Sequence, residues 1–384
     1  MTLFESLLLA MTAMYFIAQL VVLYNVRGVP MLEEVDAPAP HRWPTVSLVI
    51  AACNEESTIE GALKTLLALD YPALQIIVVN DRSTDRTGAI LERMREENGR
   101  MEIVRIETLP EGWLGKLHAL YRGDQAASGD YVLYADADIH FSPDCLRRAV
   151  AWAEHDGLDH LSVIPRMHIE TVALGAAVNA FGGVVLSTFR PRAINADKPG
   201  AYGGVGAFNL VRKAAFDRTE GWPWLRLEIA DDMGLGLLLH RHGAKARMCF
   251  GFESLAVSWY ASLPEMIRGL EKNTFAVMGR FSATRAVLAA SAFLAFALAP
   301  WALLATPWMP AGVLAIVSAV AVPWLTPKPP GMPVLSYILG PMAGPVLVYI
   351  LLRSTWITKR RGALVWRGTE YDLDELRSHQ RVFI

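Results

Sequence analysis

Cysteine is scarce in this chain: Cys53, Cys145 and Cys249 are the three in 384 residues. They lie far apart and form no CxxC pair, which excludes a dense disulfide framework and argues against a zinc site. Buried reduced thiols in a domain facing the cytosol are the expectation, because disulfides are rare in that compartment. An excess of basic residues is also missing. Lys and Arg number 36 against 38 Asp and Glu, a formal net charge of -2. No nucleic-acid partner held by counterion release is expected from that balance. Charge of either sign is thin, at 19% of residues, while 53% are hydrophobic. Soluble domains carry about 25% charged residues, so the deficit points to membrane segments. The length allows one large domain or two ordinary ones.

The uncharged runs say where those segments lie. Ser6 to Val26 carries no charge, and a spanning helix needs about 20 such residues. No basic stretch precedes the run and no small-residue cleavage site closes it, so a retained anchor is expected rather than a signal peptide. Arg27, His41 and Arg42 follow. By the positive-inside tendency they place the main domain in the cytoplasm. Ala286 to Pro327 is uncharged and has room for two spans, and Pro329 to Leu352 is a third candidate. Prolines interrupt these runs, so kinks or re-entrant pieces are expected. Three spans after a cytosolic domain put the tail outside, whereas the basic residues Arg353, Lys359, Arg360 and Arg361 argue for inside. One C-terminal segment is therefore expected to be interfacial or re-entrant.

Between the membrane runs the pattern alternates. Val46–Ala51, Gln75–Asn80, Ile103–Ile106, Tyr131–Ala135 and Leu161–Ile164 read as strands. Helical patterns follow Ser57, which is expected to cap the first, and run over Asp85 to Met94. Such alternation means βαβ units and a mostly parallel sheet, an α/β fold. Ligands of such sheets bind at the carboxyl ends of the strands.

Three acidic clusters stand there: Asn54-Glu55-Glu56, Asn80-Asp81 through Asp85, and Asp136-Ala-Asp138. Singly, each could merely start a turn or cap a helix, and Asp85 looks like an N-cap. Together their like charges repel unless a cation or hydrogen-bonding ligand joins them. Asp136 and Asp138 follow an apolar run that reads as a buried central strand. Two residues apart at a strand end, they point to one side. Two carboxylates so placed suit a hard divalent cation, Mg²⁺ or Mn²⁺, and leave positions open for phosphates.

Four stretches in this order and spacing resemble the family 2 glycosyltransferases of GT-A fold. They are Val49-Ile-Ala-Ala-Cys-Asn-Glu-Glu56, Val78-Val-Asn-Asp-Arg-Ser-Thr-Asp85, Gly115-Lys116-Leu-His-Ala-Leu120 and Ala135-Asp-Ala-Asp138. The flanking apolar segments and the tail Trp366-Arg-Gly-Thr-Glu-Tyr371 look like the lipid-glycosylating branch, which includes ceramide glucosyltransferases and hopanoid-associated enzymes. The resemblance implies that Asp81 bonds the uracil of a UDP-sugar and Glu55 the ribose. It implies that Lys116 lies near the sugar or diphosphate. Asp136 would contact ribose or sugar and share the metal, and Asp138 would ligate it. It also implies an acidic pair near Glu228-Ile-Ala-Asp231-Asp232, with Asp232 as the base that takes the acceptor proton and Asp231 as its support.

Gly203-Gly-Val-Gly-Ala-Phe-Asn209 resembles the acceptor-side loop, where backbone must approach closely. Many processive and sphingolipid-type relatives carry a Gln-x-x-Arg-Trp motif further on, and this chain instead has Arg268-Gly-Leu-Glu-Lys-Asn273, which argues against a polymer synthase and against a detailed copy of ceramide chemistry. Leu263 to Phe281 reads either as an amphipathic helix lying on the bilayer or as an ordinary surface helix. The expected division is an anchor (1–27), a linker (28–44), a catalytic domain (45–262), an interfacial segment (263–283), spanning segments (284–353) and a basic cytoplasmic tail (354–384). The whole would be an inverting hexosyltransferase in a bacterial-type plasma membrane, acting on a nucleotide-sugar and a lipid. Transfer to a polyprenyl phosphate or polysaccharide, and a catalytically silent module, are the alternatives.

Overall fold

The computed structural model describes residues 2–383. Its centre is an eight-stranded sheet in the order β3-β2-β1-β4-β7-β6-β8-β5. The strands are β1 (Val46–Ala52), β2 (Leu74–Asp81), β3 (Met101–Ile106), β4 (Tyr131–Asp136), β5 (His140–Phe141), β6 (His160–Met167), β7 (Asn209–Arg212) and β8 (Ala246–Val257). The pairs among β3, β2, β1 and β4 are parallel, and β7 runs antiparallel to both of its neighbours. Valine, isoleucine and leucine fill β1 and β2, as burial on both faces requires. Register then does the positioning. Ala52 pairs with Asn80 and Ala51 with Asp136, so all three acidic clusters leave the sheet at one level.

Helices cover both faces. α1 (Leu3–Val26) precedes the sheet; α2 (Ile59–Leu67), α3 (Thr87–Asn98), α4 (Gly115–Ala126) and α5 (Cys145–Asp156) alternate with strands. α2 starts after Thr58 with no side-chain cap, not at Ser57 as the sequence suggested. Asp85 is not the N-cap either: that position is Arg86, and Asp85 stands one residue earlier, where its Oδ1 accepts the Thr87 N–H at 2.9 Å. One core cluster packs Leu48, Ile50, Val78 and Leu133 against α2, α3 and α5. The alternate residues Val49, Ile77, Val79 and Val132 form the second cluster on the other face.

The next helix departs from expectation. α6 (Val172–Phe189) is an uncharged helix inside the region read as a soluble domain. With the adjoining α7 (Pro191–Asn195) it is long and apolar enough to cross a membrane. Periodicity failed to flag it because the run is uniformly apolar, with no polar face to contrast. Short turns α8 (Lys213–Phe216) and α9 (Trp222–Leu225) lead to α10 (Asp231–Arg241). The segment read as one helix over Leu263–Phe281 is two, α11 (Leu263–Gly269) and α12 (Glu271–Val277), meeting at Leu270.

α13 (Ala283–Leu303) is long enough to span, as is α1. α14 (Met309–Ala321) is shorter. The third C-terminal candidate is broken: α15 (Val334–Leu339) and α16 (Gly344–Arg361) meet at a bend of 64°, with Pro341 and Pro345 around the break. The last residues are not a loose basic tail. They form a hairpin, β9 (Ala363–Trp366) with β10 (Thr369–Asp372), and α17 (Leu373–His379). Ala286 and Ala290 of α13, Val348 and Leu351 of α16, and Leu364, Tyr371 and Leu376 of the tail share the second core cluster with the sheet.

Candidate active site

Above the carboxyl ends of β1, β2 and β4 opens a cleft of about 640 Å³. Glu55, Asp81, Lys116, Asp136 and Asp138 line it, all expected from the sequence. Asp81 is 3% exposed, and Arg82 grips it with two bonds, Nε at 2.7 Å and Nη2 at 3.0 Å. This bidentate pair forms part of the cleft wall. Such a carboxylate keeps lone pairs free for a further donor.

Lys116, at the start of α4, joins the two halves of the site. Its Nζ lies 2.8 Å from Asp136 Oδ1 and 2.8 Å from Asp231 Oδ2. Burial favours the neutral amine, but the two carboxylates outweigh it and hold the ammonium well above its usual range. Burial likewise pushes the Asp136 carboxyl up, and Lys116 more than offsets that, so it stays ionised. Asp138 has no ion-pair partner among the described residues, and the Lys116 charge offsets its burial only weakly. Burial, then the charges of Asp136 and Glu55, push its carboxyl up to about 6.

Asp231 and Asp232 stand in the first turn of α10, outside the cleft wall and joined to it through Lys116 and Gly206. Asp232 Oδ2 accepts the Gly206 N–H at 3.2 Å and Oδ1 the Met233 N–H at 2.7 Å. Burial and the neighbouring Asp231 raise its carboxyl to about 6. The glycine loop explains this proximity. Gly206 also accepts the Asp136 N–H at 3.0 Å, and a Cβ on Gly206 would lie 2.7 Å from Asp136 Oδ2. A Cβ on Gly204 would lie 2.0 Å from the Asp232 carbonyl oxygen, and one on Gly236 2.2 Å from that of Gly203. Backbone lies directly on backbone here, so the close approach expected of this loop is made first to the protein itself.

Several site residues escaped the sequence reading. Lys272 of α12 lines the cleft and lies 3.6 Å from the centre of the Trp366 ring. Burial and the Lys116 charge pull its ammonium down to about 8. Arg367, in the hairpin turn, pairs with Glu55 and donates to the Cys53 carbonyl at 2.9 Å. Tyr371 Oη accepts the Gly115 N–H at 3.1 Å, and Arg82 reaches Thr369 at 3.3 Å. The buried Glu228 accepts the N–H groups of Arg381 and Val382, at 2.6 and 3.0 Å, and so fastens the end of the chain beside α10. Only the Trp366–Tyr371 stretch, noted for its resemblance, hinted that the tail belonged here.

Among the described residues no three His, Cys, Asp or Glu side chains gather to hold a metal ion. The donor set nonetheless fits a hard cation. Asp138 and Asp136 are two carboxylates with surplus negative charge, and Mg²⁺ or Mn²⁺ ordinarily completes its shell with phosphate oxygens and water.

A sheet of this topology with carboxylates around a cleft at its carboxyl edge is a GT-A-like fold. Residues 47–219 match the family model described as Glycosyl transferase family 2. The chain is 32% identical over 202 residues to a beta-monoglucosyldiacylglycerol synthase of Synechocystis, covering 52% of this chain and 41% of the relative. It is 28% identical over 233 residues to a poly-beta-1,6-N-acetyl-D-glucosamine synthase of Staphylococcus aureus, covering 59% and 52%. The chain thus spans about half the length of these relatives. A mannosyltransferase from Pyrobaculum calidifontis, solved with GDP-Man and Mn²⁺, matches in fold with a TM-score of 0.58 at 21% identity. That likeness covers 93% of this chain and 99% of the other.

Proposed function

We propose that the chain transfers a hexose from a UDP-sugar to a hydroxyl of a membrane lipid, with inversion at the anomeric carbon. The observation that carries this reading is the Lys116 bridge from Asp136, on the donor side, to Asp231, beside the base. Asp81, fixed by Arg82, accepts from the uracil, and Glu55 with Arg367 meets the ribose. Lys116 and Lys272 neutralise phosphate as point charges. A divalent cation held by Asp138 and Asp136 would supply charge stabilisation for the departing diphosphate. Asp232 takes the proton of the acceptor hydroxyl as the new bond to the anomeric carbon forms and the bond to diphosphate breaks. A single displacement of this kind inverts that carbon.

The apolar helices and the diacylglycerol-glycosylating relative support a lipid acceptor. The basic residues beside the apolar runs support a plasma-membrane protein whose catalytic domain faces the cytoplasm.

Mass spectrometry of lipid extracts from cells with and without the protein tests the acceptor. A glycolipid that disappears with the protein names sugar and lipid together. Loss of a polysaccharide or a polyprenyl-linked sugar instead would replace this reading. Asp138→Ala is expected to abolish metal-dependent binding of UDP-sugar in calorimetry, and metal-insensitive binding that survives would remove Asp138 from the site.

A further inference from the structure

Glu228 is 1% exposed and touches none of the groups that react in the scheme above. Both of its carboxylate oxygens are occupied. Oε1 accepts the Ala230 N–H at 3.1 Å, and Oε2 accepts the N–H groups of Arg381 and Val382 at 2.6 and 3.0 Å. Every partner is a backbone donor, and two of the three come from the end of the chain. Burial pushes the carboxyl up, and these three N–H groups oppose that. A buried carboxylate that loses such donors keeps its desolvation penalty with nothing to offset it.

Ala230 is the N-cap of α10, and its methyl side chain offers no cap. Glu228 ties that end down instead, and Asp231 and Asp232 follow at once. The stem of Glu228 also packs on the first turn of α10: a Cβ on Gly234 would lie 3.0 Å from its Cγ. The chain just before Glu228 is held from two sides. The Arg226 carbonyl accepts the N–H of Leu114, the residue that opens α4 ahead of Lys116. The Arg226 guanidinium meets His379 Nε2 at 2.9 Å. Residues 226–230 therefore lie between the start of α4 and the end of the tail.

That end has anchors of its own besides Glu228. Val382 is fully buried. The Gln380 side-chain amide donates to the Ala276 carbonyl at 2.9 Å, and the Arg381 guanidinium stands 5.1 Å from the centre of the Trp224 ring. The hairpin that opens the same tail lines the donor cleft with Trp366 and Arg367. One segment thus meets the donor side at its beginning and the stretch that carries the base at its end.

We propose that Glu228 and residues 379–382 form a latch that sets the first turn of α10, which makes Glu228 a positioning residue for the base Asp232. The inference rests on the assignment of Asp232 above. It adds a role for the chain end, which meets Glu228 from 153 residues further along the sequence.

The test compares Arg381→Pro with Arg381→Ala in the full chain in phosphatidylcholine nanodiscs. Proline removes an N–H that Glu228 accepts, and Gln380 already has the extended backbone that proline favours in its predecessor. Alanine keeps the N–H and gives up the contact with Trp224. Amide exchange at Gly206 and Met233, whose N–H groups Asp232 accepts, reports the placement of the base without any substrate. Relative to Arg381→Ala, Arg381→Pro is expected to speed exchange there about tenfold, as loss of a hydrogen bond to a charged group implies. It is expected to lower kcat for UDP release from UDP-glucose, with cell lipid extract as acceptor, by a similar factor. Mn²⁺-dependent binding of UDP is expected to agree within about twofold between the two variants, because the latch lies outside the donor cleft. Should proline prevent folding, Glu228→Gln sets an amide NH₂ against one of the three N–H groups at unchanged volume and is expected to give the same split against the parent chain. Equal exchange and equal kcat in the paired variants, or UDP affinity that falls in step with kcat, overturns the latch. Turnover that survives Asp232→Asn removes the base assignment instead, and the exchange rates then decide the latch by themselves.

Discussion

Asp232 and Asp231 are adjacent, yet their surroundings give them different chemistry. Asp231 is tied to the Lys116 ammonium, while Asp232 is held by two backbone amides and no cation. A carboxyl raised to about 6 is protonated below that pH and cannot accept a proton. Transfer should therefore rise with pH through about 6 and level off above it. Asp232→Asn is expected to lower kcat by about 10²–10⁴-fold and to leave donor affinity within about twofold. Steady-state kinetics over pH 5 to 8 would show this, and turnover that survives undiminished in Asp232→Asn would place the base elsewhere. The sequence made the acidic pair visible. The resemblance ranked the two, Asp232 as base and Asp231 as support, and the contact of Lys116 with Asp231 exists only in the folded chain.

Two elements hold the site together, a loop and a hairpin. The glycine loop is the spacer between Asp136 and the N-terminus of α10. Gly206→Ala drives a methyl into a carboxylate that Lys116 restrains, so metal-dependent donor affinity is expected to fall about tenfold, about 1.4 kcal/mol. Gly204→Ala instead meets the Asp232 backbone, which cannot swing aside, and is expected to lower thermal stability, as overpacking by a methyl costs about 1–3 kcal/mol. Calorimetry and melting curves on both variants separate the two effects. The hairpin works from the opposite side. Arg367→Ala frees Glu55 and should raise the donor Kd about three- to tenfold, while its exposed ion pair contributes under about 1 kcal/mol to stability. An unchanged Kd would make the hairpin a bystander. The loop was legible as a glycine cluster at the right distance from its motifs. The hairpin was not, because nothing local marks a chain end that returns to a strand edge hundreds of residues upstream.

Across the whole molecule, the tail fixes the arithmetic of the membrane helices. It packs on the catalytic domain through Arg367, Thr369 and Tyr371. Any crossings between Ala283 and Arg361 must then be even in number. α13 is long enough for one, and the bent α15–α16 pair, taken as one broken span, is the candidate for the second. Cysteines introduced as Lys64→Cys and Ser378→Cys, both at exposed positions, should react with an impermeant maleimide from the same side of sealed vesicles. Reaction from opposite sides would require an odd number of crossings. α6 adds an apolar element between β6 and β7, tied to α1 by Asn25, whose side-chain amide donates to the Leu186 carbonyl at 3.3 Å.

The sequence by itself determined the α/β pattern, the ends of the parallel strands and the carboxylates placed there. Each is a local matter: side-chain periodicity sets the strand, and the residue after the strand sets the chemistry. Tertiary structure alone decided that Lys116 bridges Asp136 to Asp231, that Lys272 and Arg367 enter the cleft, and that the tail lies on the catalytic domain. Those contacts join segments far apart in the chain, and they form only when both core faces of the sheet are covered. Local pattern carries no record of which distant segment does the covering.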